Sequence, residues 1–100
     1  MQILALSRRQ PGVTPAQLAP WAEAEAAAAY RLIAQDRIRS VHMCPERPGS
    51  MLVMECADLD EAAALLAGLP MVAAGLISFE LSRMLPYTGT TALFREEFKP

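Results

Sequence analysis

The chain has one histidine, two cysteines and a 6% share of aromatic residues, and each scarcity removes a class of function. With His42 as the single His and no Cys-x-x-Cys spacing, a structural zinc site is not expected. Cys44 and Cys56 fall at the ends of two strand-like runs that look like a hairpin, so their Cα atoms should lie beyond the roughly 7 Å that a disulfide spans. There is no Gly-rich phosphate loop and no Gly-x-Ser-x-Gly elbow, which removes the common nucleotide and acyl-hydrolase readings. No cofactor is implied. Charge of one sign is also lacking: nine Lys and Arg against eleven Asp and Glu give −2, no footprint for a nucleic-acid backbone. No apolar run reaches the roughly 18 residues of a membrane span, and Met1 leads straight into a strand-like segment. A cytoplasmic protein without nucleic-acid or membrane partners is expected.

What remains is an apolar chain, 53% hydrophobic, whose 100 residues suit one domain. Eighteen of its apolar residues are Ala, so the core is rich in small side chains and neighbouring subunits are expected to complete it.

Gln2 to Arg8 reads as a strand. Gly12 breaks it, and Thr14-Pro15 suits an N-cap followed by a first helical position. The helical pattern runs to about Gln35, with Pro20 either kinking the first turn or marking the true start. Arg37 to Cys44 and Met51 to Cys56 are strand-like runs joined by the turn-rich 45–50 segment. Asp58 with Glu61 resembles a capping box for a second helix from Leu59 to about Leu69, closed by Gly68 and Pro70. Leu76 to Leu85 alternates Ile77, Phe79 and Leu81 with Ser78, Glu80 and Ser82, a half-buried strand.

Strand, helix, strand, strand, helix, strand is the α+β, ferredoxin-like order, with a four-stranded antiparallel sheet covered on one face by two helices. The opposite face, with Ile3, Ala5, Met51, Val53 and Leu76 as expected members, is too apolar for water, so a homodimer or larger homo-oligomer is expected. Residues 1–87 form the domain. Residues 88–100, with Leu93, Phe94 and Phe98, form an arm suited to crossing that interface.

At about 100° per residue the first helix places Trp21, Leu32, Leu18, Ala29, Ala22 and Ile33 on one apolar face, with Glu25 in its middle. A carboxylate surrounded by apolar side chains suits a general acid or base near neutral pH. The ordinary alternative is a helix-edge glutamate whose head reaches solvent or an arginine. In the hairpin, Arg39, His42 and Glu55 are the candidates, and register decides which of them meet. Pairing Cys44 with Met51 sets Ser40 opposite Glu55 and His42 opposite Val53; a one-residue slip pairs Arg39 with Glu55. A half-exposed strand histidine and a structural cross-strand ion pair are the plain alternatives. The Ser78, Glu80 and Ser82 stripe reads as solvent or interface face, and the six Met and Trp21 as packing.

The first helix with Glu25, Arg39 on the next strand, Met51 to Cys56 with its acidic Glu55, and Leu69-Pro70 before the last strand together resemble the muconolactone isomerase family over roughly residues 2 to 87. The resemblance implies a dimeric α+β barrel that isomerises a small lactone by moving a proton in a cavity between subunits. Taken with the helical and strand patterns, Glu25, His42 and Glu55 are the expected catalytic residues and Trp21, Arg39, Met51 and Val53 the expected substrate-binding ones. The same fold hosts cofactor-free monooxygenases and haem-degrading enzymes; the latter use an Asn, Trp and His set, and this chain has no Asn. A non-catalytic dimeric module that binds a small apolar ligand, or only assembles, is the alternative from another class.

Overall fold

A computed structural model describes residues 1–95 and 97. Strand β1 (Gln2–Arg9) is followed by α1 (Pro15–Leu18), a 3-10 turn (Ala19–Trp21) and α2 (Ala22–Ala34). The hairpin of β2 (Ile38–Met43) and β3 (Ser50–Glu55) leads to α3 (Leu59–Ala67), α4 (Pro70–Ala73) and β4 (Ile77–Met84). The strands form one antiparallel sheet in the order β2-β3-β1-β4, the ferredoxin-like arrangement expected from the element order. A 3-10 helix (Gly89–Phe94) follows the domain. Tyr87, Leu93 and Phe94 are exposed there, and Phe98 of the expected arm lies outside the described residues.

The core sits between the sheet and the helices. Ile3 and Ala5 of β1, Leu52 and Met54 of β3 and Ile38 of β2 are buried, packed by Ala62, Leu66 and Leu69 from the helix layer. Burying Ile3, Ile38 or Met54, each essentially inaccessible, contributes about 1.5–3 kcal/mol. Cys56 closes this core; Cys44 and Cys56 are both free thiols.

Four sequence expectations need correction. Ile3 and Ala5 face the helices, not the open side; side chains alternate along β1, so Leu4 and Leu6 take the open face. Met51 and Val53 do lie there, opposite Leu6 and Leu4, whereas Leu76 sits in the turn before β4.

The hairpin follows neither expected register. His42 pairs with Met51 and Ser40 with Val53, and the ladder shifts between Ile38 and Ser40, a bulge that leaves Arg39 unpaired across the strands. The positions on the helix-facing side change from even (Ile38) to odd (Val41, Met43) across it, and of the three only Ile38 is buried. Arg39 turns instead to Asp36, 3.6 Å away, a residue in the left-handed region (φ 59°) that ends the α2 turn.

The first helix is composite. Pro20 is accommodated in the 3-10 turn, which advances about 120° per residue instead of 100°, so a single helical wheel loses phase across it. The inward stripe is Glu25, Ala28, Ala29 and Leu32, while Trp21 (39% exposed), Ala22 and Ile33 are turned to solvent.

The second helix ends at Ala67, and Pro70 starts the separate α4 at its N-terminal turn, where a missing N–H costs nothing. Asp58 caps α3 by accepting from Glu61 N (2.8 Å), but Glu61 reaches back to Ala57 N (2.9 Å), one residue before the capping-box position. Its other oxygen holds Arg37.

Candidate active site

Between the helix layer and one end of the sheet lies a cavity of about 400 Å³, within the range of small-molecule sites. Leu18 of α1, Met71 of α4, and Ile77 and Phe79 of β4 give it apolar walls; Ser7, Ser50, Arg9 and Glu25 are its polar members. Met43, Gly49 and Ser50 of the hairpin close one side.

Local sequence chemistry sets these walls. Thr14 and Gln17 cap α1 reciprocally, Thr14 N donating to Gln17 Oε1 (2.7 Å) and Gln17 N to Thr14 Oγ1 (3.4 Å), which fixes Leu18 over the sheet. Ser7 continues the inward phase of Ile3 and Ala5 and is the buried polar residue of the core. Its Oγ accepts from Ser50 N (2.7 Å) and lies 3.0 Å from Ser50 Oγ. Gly49 makes that contact possible: a Cβ there would lie 2.3 Å from Ser7 O, and its φ of +112° suits glycine.

Glu25 reaches the cavity from α2. Leu69, the residue preceding α4, has no side-chain acceptor for the first turn of that helix, and Glu25 Oε1 supplies one, accepting from Met71 N at 2.9 Å. Oε2 makes no hydrogen bond among the described residues. Glu25 is half-buried and forms no ion pair with Arg9, although both line the same cavity.

The other sequence candidates stand elsewhere. His42, Met51, Val53 and Glu55 lie on the open face of the sheet, the side opposite Glu25. His42 is opposite Met51, which places it about 13 Å along the strands from Glu55. Glu55 Oε2, buried and without a side-chain donor, lies 3.0 Å from the Met1 ammonium. Trp21 does not line the cavity, and Arg39 is held at the bulge. The Glu25 cavity is lined by residues of one chain. Arg9, Ser7, Ser50, Phe79 and the Met71 N–H were not singled out from sequence. Ser7 in an otherwise apolar phase was a legible signal, and Pro70, taken above as the close of the second helix, was another, since proline also suits a first helical position.

Among the described residues, no group of three or more His, Cys, Asp or Glu is placed to hold a metal ion, and no helix is long and apolar enough to cross a membrane. Fold and cavity together define an α+β domain with a ligand-sized apolar pocket under its helices. A family model, the YCII-related domain, matches residues 1–84, and the chain belongs to that family. The fold is that of muconolactone isomerase, with a TM-score of 0.71 at 15% identity over 89% of this chain and 93% of that one. It is also similar to 5-chloro-2-hydroxyhydroquinone dehydrochlorinase (TftG) from Burkholderia phenoliruptrix AC1100, solved with 2,5-dihydroxybenzoquinone. There the TM-score is 0.61 at 22% identity, covering 85% of this chain and 94% of that one. No curated protein sequence matches the chain.

Proposed function

We propose that this protein is a small-molecule enzyme that moves a proton on a carbonyl-activated substrate, with Glu25 as the general base and acid. The observation that carries the reading is a carboxylate on the wall of an apolar, ligand-sized cavity, with one oxygen fixed by Met71 N and the other free. The fixed oxygen orients the group. The free one faces whatever carbon or hydroxyl the cavity presents, and water exclusion by Leu18, Ile77 and Phe79 strengthens the interaction.

The two fold relatives are named an isomerase and a dehydrochlorinase. Isomerisation takes a proton from one carbon and returns it to another; loss of hydrogen chloride takes a proton while chloride departs. Both need a positioned base and neither changes the oxidation state of a cofactor. A single glutamate that accepts and then returns the proton suffices for the first, and one that passes it to solvent suffices for the second.

Leu4, Leu6, Met51 and Val53 form a continuous apolar patch on the open face, and we read it as the surface of a homodimer. His42 and Glu55 would then lie at the subunit boundary, with Arg39 on the edge strand beside it. The 88–100 arm, with Leu93 and Phe94 exposed, is suited to reach across.

The test is turnover in deuterated water of muconolactone and of 5-chloro-2-hydroxyhydroquinone, followed by proton NMR. Wild-type protein is expected to wash deuterium into the first or release chloride from the second, and Glu25→Gln to slow this by roughly 100-fold or more. A Glu25→Gln protein that works at the wild-type rate overturns the proposal.

A further inference from the structure

A second hollow, about 410 Å³, opens at the end of the sheet and shares Arg9 and Pro48 with the Glu25 cavity. Three arginines line it: Arg8, Arg9 and Arg47. Arg8 is neutralised by Glu80, 3.3 Å away on the outer face. The other two are not. Arg9 has no hydrogen bond or ion pair among the described residues. Arg47 Nη2 donates to the Ser7 carbonyl (3.0 Å), an acceptor without charge, and its Nη1 is buried with no partner among the described residues. A guanidinium charge left without a counter-charge in a partly dry setting is costly, and an anion in the adjoining hollow would offset it.

We infer that Arg9 and Arg47 form the anion subsite of this enzyme, and that its substrate is an organic anion: a carboxylate held at the mouth, joined to an apolar, ring-sized body lying inside against Leu18 and Phe79. The inference rests on the reading of the Glu25 cavity as the active site and adds the substrate class. Charge placement carries it. Arg9 and Glu25 line one cavity without meeting, so the space between them has a cationic end and an anionic end. A carboxylate is repelled from Glu25 and drawn to the arginines, which directs the far end of the molecule to the glutamate. Guanidinium groups match the fork of a carboxylate, and two of them fix its orientation as well as its position. The mouth is built before any ligand arrives, since Gln10 N donates to Leu76 O (2.9 Å) and Val13 N to Gln10 O (3.1 Å).

The experiment is a titration of the full chain with benzoate, benzamide and inorganic phosphate, followed by the backbone amide signals of Arg9, Gly49 and Phe79. Benzoate and benzamide share the ring and differ in charge; phosphate has the charge without the ring. Benzoate is expected to shift all three signals and to bind roughly tenfold or more tightly than benzamide. Arg9→Gln should bring benzoate down to the benzamide level and leave benzamide unchanged. Arg47→Gln should do the same, and Arg47→Lys, which keeps the charge but not the fork, should fall between. If Arg47→Gln does not fold, Arg9→Gln decides alone. Equal binding of benzoate and benzamide at the Phe79 signal overturns the anion subsite while the cavity reading survives. Tighter binding of phosphate than of benzoate overturns the organic anion. Binding of neither ring compound overturns both readings. Benzoate anchored by Arg9, combined with a fully active Glu25→Gln protein, leaves the anion subsite standing and removes the proton-transfer role.

Discussion

Glu25 and Met71 are 46 positions apart in sequence, yet the carboxylate of one accepts the backbone N–H of the other at 2.9 Å. This contact ties α2 to α4 and leaves the carboxylate on the wall of the cavity. It also separates the structural part of the glutamate from its proposed chemical part. Gln at position 25 retains an acceptor for Met71 N and lacks only the proton-accepting carboxylate. Glu25→Ala loses both, and is expected to cost about 1 kcal/mol of stability in denaturant titrations in which Glu25→Gln stays within a few tenths of wild type.

Gly49→Ala should be among the most damaging small substitutions in the chain. The new Cβ meets the Ser7 carbonyl, which is backbone and cannot swing aside, at a φ that disfavours any side chain. A loss of roughly 2–4 kcal/mol by chemical denaturation is expected, along with displacement of the Ser7–Ser50 hydrogen bonds that close the cavity. An alanine variant with unchanged stability would show that the hairpin does not approach Ser7 as described.

The open face predicts assembly. Light scattering at micromolar concentration should give a dimer or larger species, and Leu6→Glu, which places a charge in the patch between Met51 and Glu80, should give folded monomer. A wild-type monomer stable across that range would refute the homodimer.

Burial pushes the Cys56 thiol above the ordinary thiol range, with the Glu61 carboxylate as the next contribution in the same direction. The folded chain therefore holds this proton more tightly than the unfolded chain. The linked stability is fully present below the unfolded thiol's pKa and is lost as pH rises through the raised folded value. Stability should fall on the alkaline side, and Cys56→Ala should flatten that limb. In thiol-labelling experiments on native protein at mildly alkaline pH, the half-buried Cys44 should react well before Cys56.

Local chemistry alone marked out much of the architecture. The period-two runs at both ends and in the hairpin, the Thr14-Pro15 start and the Asp58 cap are short-range signals, and they led to the right element order, the antiparallel sheet and the single helix-covered face. Glu25 was legible too, since its inward direction depends only on its spacing to Ala28, Ala29 and Leu32 within one continuous helix. Other choices were tertiary. Which face of β1 turns inward depends on what packs against it, because Ile3 and Ala5 are no more apolar than Leu4 and Leu6. The hairpin register depends on a bulge at Arg39 that puts Ile38 and Val41 both on the helix-facing side of the sheet, so His42 falls on the open face opposite Met51, well along the strand from Glu55. The cavity depends on α4 and the close approach of Gly49 to Ser7, contacts between segments more than 40 residues apart. Periodicity fixes direction within an element; only packing between elements decides which directions converge.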